Sequence, residues 1–188
     1  STGFFHHGTC ETALPDNSNL PGDVRIVPLR GIPLICEGDD LPRILVRSLR
    51  DAGIALAKDD ILVVTQKIVS KSEGRLVRLS GIVPSARALE LAEKLGKDPR
   101  KVEVILRESR RVVRAQRSAK SGVGVMICET HHGFVCANAG VDESNLSDPG
   151  TVLLLPVDPD ASAEKLRREI SRISASGAPS ADVSDIGR

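Results

Sequence analysis

The sequence predicts one domain of the α+β class, an irregular mixture of helices and strands. The chain has 188 residues and 40% of them are hydrophobic, which is enough for one sizeable core. Hydrophobic residues follow helical spacing in some segments and form short runs in others, without strict strand–helix alternation. We expect a flexible leader over residues 1–23, the domain over residues 24–173 and an irregular tail over residues 174–188.

The first third of the chain is predicted to form two strands and one helix. The leader contains Gly, Pro, Asn and Asp and lacks a hydrophobic period. Segment 24–29 alternates in hydrophobicity, which predicts a short strand. Segment 41–53 carries Leu and Ile on one helical face and ends at Gly53, which predicts a helix. The apolar run 60–66 follows an Asp pair and predicts a buried strand.

The middle of the chain is predicted to form a strand and two helices. Segment 74–79 is typical of a strand. Segment 84–96 predicts a helix, because Pro stands near its start and Gly at its end. Segment 98–109 predicts a further helix, with Asp98 as its N-cap and Pro99 in its first turn.

The last third is predicted to form several strands and a final helix. Segments 110–115 and 122–130 are typical of strands, and 133–141 follows as another strand after a tight His-Gly turn. Segment 151–156 predicts a short buried strand. Segment 158–172 begins with acidic residues and ends with Arg, as the dipole of a helix favours.

The composition argues against nucleic acid and membrane as partners. A formal net charge of +1 gives no bulk attraction to either. The aromatic residues are Phe4, Phe5 and Phe134, so the stacking platforms of a single-strand binder are nearly absent. No apolar run approaches the roughly 20 residues that span a bilayer, and the first residues lack a signal-peptide pattern.

The cysteines indicate a reducing compartment. Cys10, Cys36, Cys128 and Cys136 show no C-x-x-C spacing, so the strongest zinc pattern is absent. Scattered cysteines of this kind serve as small buried apolar groups in a reducing cytosol. We therefore expect a soluble, cytoplasmic protein.

A first candidate site lies in segment 63–75, VVTQKIVSKSEGR. The predicted strand leads into Gln66, Lys67, Ser70 and Lys71, and amide, hydroxyl and ammonium groups at a strand end suit a polyphosphate. The pattern is not a P-loop. The plainer interpretation, which the residues alone favour, is a polar hairpin.

A second candidate is the basic cluster over residues 107–120. Arg110, Arg111 and Arg114 are candidate phosphate contacts in it. A charge-rich connection is the more common explanation of such a cluster.

A third candidate is segment 132–145, HGFVCANAGVDESN. Asp142 and Glu143 follow a run of small residues and could bind Mg²⁺ or Mn²⁺ through oxygen, while the small residues allow close approach to a ligand. A structural turn explains the segment equally well. His131 and His132 are acid–base candidates by residue type, although a turn histidine usually has no such role.

Five motifs together resemble one family. They are RGIPLICEGDDL, DILVVTQKIVSKSEGR, KDPRKVEVILRES, ETHHGFVCANAGVDESN and LLLPVDPDASAEKLR, which occur in this order within a match that runs over about residues 24–172. The chain resembles the coenzyme F420-0:L-glutamate ligases. The resemblance implies a GTP-dependent enzyme that activates the carboxylate of coenzyme F420-0 as an acyl phosphate. It would then add L-glutamate, followed by γ-linked glutamates.

The resemblance also implies site residues and partners. It places a ligand of Mg²⁺ or Mn²⁺ on Asp142, and it implies a homodimer and the small-molecule partners GTP, coenzyme F420-0 and L-glutamate. Catalytic residues are not assigned by it. The implied nucleotide contacts are Ile32, Pro33, Leu34, Ile35, Gln66, Lys67, Lys71 and Asn145.

The sequence departs from the family pattern near its C-terminus. The family continues with a strand and a SDTFGR motif that completes the metal site, whereas this chain reads VSDIGR over residues 183–188. Asp185 is a candidate second metal ligand, although a chance likeness explains it equally well. We therefore expect an incomplete form of the family fold. The alternative is a truncated, non-catalytic relative that binds nucleotide or dimerises.

Overall fold

The computed structural model describes residues 24–118, 122, 124–144, 146 and 148–176, which form a mixed α+β fold as predicted. The helices are α1 (Leu41–Asp51), α2 (Gln66–Ser72), α3 (Ala86–Leu95), α4 (Pro99–Arg107) and α5 (Pro159–Ser176). The strands are β1 (Leu76–Arg78), β2 (Ser109–Arg117), β3 (Gly124–Thr130), β4 (Val135–Ala137) and β5 (Thr151–Leu153). Two 3-10 turns occupy Leu79–Gly81 and Asn138–Gly140.

The described strands form two small antiparallel sheets. One sheet has the order β2-β3-β4 and the other pairs β1 with β5. An isolated antiparallel bridge between Asp142 and Leu153 joins the segment after β4 to strand β5. Residues 138–144 therefore pass from one sheet to the other, and we call them the bridging loop.

The larger hydrophobic cluster lies between α3, α4 and the two sheets. Leu95, Val102, Ile105, Met126 and Val152 are fully buried within it. These side chains come from helices α3 and α4 and from strands β3 and β5. The cluster therefore packs α4 against the strands that lie next to the bridging loop. Burial of each large aliphatic side chain contributes about 1.5–3 kcal/mol.

A second hydrophobic cluster joins the first, second and last helices. Leu45 on α1, Val69 on α2 and Ile170 on α5 are buried in it, together with Ile35 from the preceding loop. This cluster sets the position of α2, the short helix that carries three of the predicted nucleotide contacts.

Four of the predicted helices are confirmed, because their end signals are local. Asp98 accepts a hydrogen bond from the backbone of Arg100, as expected for the N-cap of α4. Ser85 caps α3, and Gly96 ends it with φ of 64°. Helix α5 continues to Ser176, past the predicted end at residue 172. Among the described residues, no helix has the length and apolar character needed to cross a membrane.

Two predicted strands are wrong. Segment 24–29 has no regular secondary structure, and residues 60–65 form no strand either. Ile61 and Val63 are 87% and 84% exposed, so the apolar run is not buried on both faces. A strand needs a ladder partner, and the described residues supply none to either segment. The alternative interpretation of 63–75 as a polar hairpin is also wrong, because Gln66–Ser72 form helix α2.

Most of the other predicted strands are confirmed with altered lengths. Segments 74–79 and 122–130 contain β1 and β3, whereas β2 extends beyond segment 110–115 at both ends. Strand β4 ends at Ala137, earlier than predicted, because the chain turns at Asn138–Gly140.

A buried carboxylate ties α4 to the start of α3. Glu103 accepts hydrogen bonds from the Ser85 backbone at 3.0 Å and the Ser85 hydroxyl at 2.6 Å, and Arg107 donates to it at 2.9 Å. The hydrogen bonds from Ser85, followed by that from Arg107, lower the pKa of Glu103 to about 2.

The Glu103 network should make stability pH-dependent. A depressed pKa stabilises the folded state above the unfolded value near 4.5, and this contribution is lost as the pH falls toward 2. Glu103→Gln should therefore be less stable than the wild type at pH 7, and the gap should close between about pH 4.5 and pH 2. Urea unfolding across this range measures it. Glu90→Gln, which changes an exposed carboxylate on α3, is the matched control. A gap that stays constant with pH would contradict the assignment.

Candidate functional site

The bridging loop begins with an unusual backbone. Asn138, Ala139 and Gly140 all have positive φ, at 52°, 53° and 74°. Ala139 is buried in this left-handed conformation, which costs free energy for a residue with a Cβ atom. A Cβ atom at Gly140 would lie 2.8 Å from the side chain of Leu155, so the loop also passes close to the end of β5. The turn directs the chain toward β5.

The loop then presents Asp142 from a fixed backbone. The Asp142 N–H donates to the Leu153 carbonyl at 3.0 Å, and the Leu153 N–H donates to the Asp142 carbonyl at 2.8 Å. Helix α2 is fixed to the same region, because the Gln66 amide donates to the Leu154 carbonyl at 3.2 Å. Strand β5 and the residue after it therefore hold both the loop and the helix in register.

Lys67 and Asp142 meet in this arrangement. The Lys67 Nζ lies 2.7 Å from the Asp142 Oδ2 and 2.5 Å from the hydroxyl of Ser144. Ser144 in turn donates to Asp142 from its backbone at 2.9 Å and from its hydroxyl at 2.8 Å. Both charged side chains are about one-third exposed, so the pair is accessible from solvent.

The carboxyl group of Asp142 is ionised at neutral pH. Burial raises its pKa, but the hydrogen bonds from Lys67 and Ser144 and the charge of Lys67 outweigh burial and lower the pKa to about 2. Asp142 is therefore in the charge state that a metal ligand needs, and a bound metal ion would replace Lys67 as its partner.

The predicted nucleotide contacts lie around helix α2. Gln66, Lys67 and Lys71 share this helix, and the described residues show no ion pair to Lys71. Ile35 is buried in the α1–α2–α5 cluster, whereas Leu34 is 68% exposed. The loop that contains both is joined to the end of α2 by a hydrogen bond from the Gly38 N–H to the Ser72 carbonyl.

Of the four remaining implied residues, two belong to the described part of the chain. Ile32 packs against the same cluster and Pro33 is exposed. Asn145 and Asp185 lie outside the described residues. The structure thus brings Lys67 and Asp142 together, and their roles in binding nucleotide and metal stay predictions.

The donor set at Asp142 fits one mode of metal binding. In the described part of the chain, no group of three or more His, Cys, Asp or Glu side chains could hold a metal ion. Asp142 supplies one carboxylate, with the Ser144 hydroxyl beside it. Mg²⁺ in nucleotide sites commonly uses one or two carboxylates and takes further ligands from phosphates and water. Asp142 fits this mode but not a site built from protein alone.

The two adjacent histidines have structural contacts. His131 Nε2 lies 2.9 Å from the Arg107 carbonyl oxygen, and His132 Nε2 lies 2.9 Å from the Val157 carbonyl oxygen. These hydrogen bonds tie the β3–β4 turn to the end of α4 and to the segment before α5. The interpretation of both as turn histidines is favoured.

The predicted basic cluster forms the surface of a strand. Arg110 and Arg111 both pair with Glu129 on β3, and Arg114 donates to Gln116 on its own strand. Most of the cluster belongs to strand β2, as the strand predicted over residues 110–115 implies, so it is not merely a charge-rich connection. These arginines have protein partners and lie on a different element from Lys67.

Sequence reasoning missed two features of the bridging loop. Ser144 is one of the four polar residues that end segment 132–145, but its contacts were not predicted: it donates to Asp142 and accepts from Lys67. Glu143 was considered only as a metal ligand, yet it pairs with Lys101 on α4. The contact between Ser144 and Asp142 is local, but no sequence signal identifies those with Lys67 and Lys101, because the two lysines lie far away along the chain.

A carboxylate whose pKa is strongly lowered by a lysine and a serine, beside a loop with strained backbone, marks a candidate site for a small charged ligand in this mixed α+β domain. The family model described as "F420-0:Gamma-glutamyl ligase" matches residues 31–177. The chain therefore belongs to the F420-0:gamma-glutamyl ligase family.

Curated relatives agree with this family. A protein of Methanothermobacter thermautotrophicus named coenzyme F420:L-glutamate ligase is 44% identical over 147 residues, covering 78% of this chain and 56% of the relative. One of Methanopyrus kandleri with the same name is 45% identical over 150 residues, covering 80% of this chain and 55% of the relative. The chain thus spans about half the length of the curated relatives it matches.

Proposed function

We propose that this chain forms the nucleotide- and metal-binding part of a ligase that joins L-glutamate to coenzyme F420-0 with the use of GTP. Membership of the family and the names of the relatives support the ligase class. The observation that carries the proposal is the Lys67–Asp142 pair at 2.7 Å beside helix α2. A cationic and an anionic group at one accessible point suit a metal–triphosphate ligand.

The proposed chemistry requires activation of a carboxylate. A carboxylate does not react directly with an amine, so a carboxylate oxygen first takes the γ-phosphoryl group of GTP, which forms an acyl phosphate and releases GDP. The amine of L-glutamate then attacks the acyl carbon, the bond from that carbon to the phosphate oxygen breaks, and the nitrogen loses a proton, which leaves an amide and free phosphate. Repetition with γ-carboxylates adds further glutamates.

Lysine side chains from helix α2 would serve this reaction. The ammonium groups of Lys67 and Lys71 would offset negative charge on phosphate oxygens and orient the nucleotide. Gln66, held by Leu154, would fix the start of the helix beside the ligand. A divalent ion, Mg²⁺ or Mn²⁺, held by Asp142 would neutralise charge on the triphosphate when bound.

A second candidate is a relative that binds nucleotide or dimerises without catalysis. It is supported by the absence of a three-residue metal cluster among the described residues. The two candidates differ in whether amide-bond formation takes place.

A direct assay separates the two candidates. The chain is incubated with GTP, Mn²⁺, coenzyme F420-0 and L-glutamate, and the coenzyme is examined by mass spectrometry. The ligase proposal expects coenzyme carrying one or more added glutamates, together with phosphate release that requires glutamate. Nucleotide binding without an amide product would instead support the non-catalytic relative.

We also propose that the protein is a homodimer that uses the apolar segment 60–65. Ile61 and Val63 project into solvent, while Leu62 and Val64 pack against the α1–α2–α5 cluster. An adjoining groove of about 870 Å³ is lined by Leu62, Phe134 and α5 side chains. An exposed apolar surface of this kind marks an interaction site.

The dimer proposal has a simple test. Ile61→Lys should weaken self-association by at least about tenfold, because a charged side chain would be buried at the interface. Light scattering after size-exclusion chromatography measures the mass over a range of concentrations. Val83→Lys changes another exposed aliphatic residue and should leave the dimer intact. A wild type that stays monomeric at the highest concentration would contradict the proposal.

A further inference from the structure

Three lysines from separate parts of the chain surround the bridging loop. Lys67 on α2 pairs with Asp142, and Lys101 on α4 pairs with Glu143 at 2.5 Å. Lys97, just before α4, lies close enough for the charges of Lys101 and Glu143 to affect it. Since Asp142 and Glu143 are consecutive, one short loop segment receives positive charge from both sides.

Lys97 and Lys101 are less exposed than surface lysines usually are. The side chain of Lys101 is only 16% exposed, whereas its partner Glu143 is 50% exposed. Lys97 is half-buried, and the part of the chain that the structure describes shows no ion pair to it. Burial lowers the pKa of Lys97, the charge of Lys101 lowers it further, and Glu143 raises it.

This arrangement has a local surplus of positive charge that an additional anion would balance. Two ammonium groups placed together repel one another, and partial burial of an unpaired one removes hydration without compensation. Three lysines face two carboxylates here, so one positive charge is left without a counter-charge within the cluster. Glu143 is the exposed partner and can turn away from Lys101 without losing a buried environment.

We propose that Lys97 and Lys101 form an anion subsite beside Asp142 that takes a phosphate or carboxylate group of a substrate. The incoming anion replaces Glu143 as the partner of Lys101 and supplies the counter-charge that Lys97 lacks. The identity of the natural anion, triphosphate or glutamate, rests on the proposed function. The inference that Lys97 and Lys101 bind an anionic oxygen does not depend on the proposed function.

Calorimetric titration in buffer freed of metal by a chelating resin, with no soluble chelator present, tests the subsite. Tripolyphosphate and L-glutamate are titrated separately into the full chain, so that the two anion sources are distinguished. Lys97→Gln and Lys101→Gln should each weaken the bound anion by about five- to tenfold, as expected for loss of a charged hydrogen-bond donor. Lys94→Gln is the control, since Lys94 is an exposed lysine on the neighbouring helix α3.

The role of Glu143 gives a prediction of opposite sign. Glu143→Gln should tighten anion binding by several fold, because Lys101 loses its competing partner. In the Lys101→Gln background the same change should have a much smaller effect, since the two residues act as a pair. Melting temperatures of all variants establish that each is folded.

The outcomes separate this inference from the proposed function. Binding of either anion that is weakened by Lys97→Gln and Lys101→Gln, but not by Lys94→Gln, supports the subsite even if GTP fails to bind with Mn²⁺. If Lys97→Gln and Lys101→Gln bind the anions as tightly as the control Lys94→Gln does, the subsite is overturned even if GTP binds. Failure of both anions to bind the wild type at millimolar concentration also overturns it.

Discussion

Asp142→Asn should remove most of the stabilisation that GTP and Mn²⁺ give to the folded protein. A ligand at 100 times its dissociation constant stabilises the folded state by about 2.7 kcal/mol, and a 100-fold weaker ligand at the same concentration gives only about 0.4 kcal/mol. The neutral amide would bind a divalent ion far less well than the carboxylate. Thermal unfolding with and without the two ligands measures the difference.

Two features make this experiment interpretable. The Lys67–Asp142 pair is partly exposed, so its loss should cost the unliganded protein only about 0–1 kcal/mol. Asp148→Asn is the matched control, because Asp148 lies in the same connection and pairs with exposed Arg78. An equal ligand response in Asp142→Asn and the wild type would exclude Asp142 as a ligand.

Gly124→Ala should destabilise the fold by about 1–3 kcal/mol or more. Gly124 begins β3, and a Cβ atom there would lie 2.2 Å from the backbone carbonyl oxygen of Leu95 and 2.6 Å from its Cβ. Backbone atoms cannot turn aside as a flexible side chain can. The added methyl group would therefore push β3 away from the end of α3, in the largest hydrophobic cluster.

Gly81→Ala is the control for this substitution. Gly81 has ordinary φ, and a Cβ atom there would meet no atom within 4 Å. We expect its stability to change little or to rise slightly, because alanine reduces the entropy of the unfolded chain. Urea unfolding of both variants gives the comparison. A Gly124→Ala variant as stable as Gly81→Ala would contradict the close packing of β3 on α3.

The sequence predicted those elements whose signals are local. Helix α4 is defined by Asp98 and Pro99, and α3 ends at Gly96, because caps depend on neighbouring residues alone. Segment 60–66 was predicted incorrectly, because a strand depends on a partner elsewhere. Helix α2 was missed, since Thr65 provides no side-chain cap and the helix has only seven residues.

The candidate site was predictable in its residue types but not in its contacts. Lys67 and Asp142 stand out as charged groups next to apolar segments, yet their contact depends on the bridge between Asp142 and Leu153. The pairing of Glu143 with Lys101 likewise depends on packing of α4. Ile32–Ile35 are apolar and carry no chemical signal, so their implied role came only from resemblance.

Calorimetric titration of GTP into the full chain, with and without Mn²⁺, tests the central claim most directly. The proposed nucleotide and metal site predicts saturable binding with one GTP per chain that is tighter when Mn²⁺ is present. Absence of binding at millimolar GTP and Mn²⁺, by a protein with a cooperative unfolding transition, would contradict it.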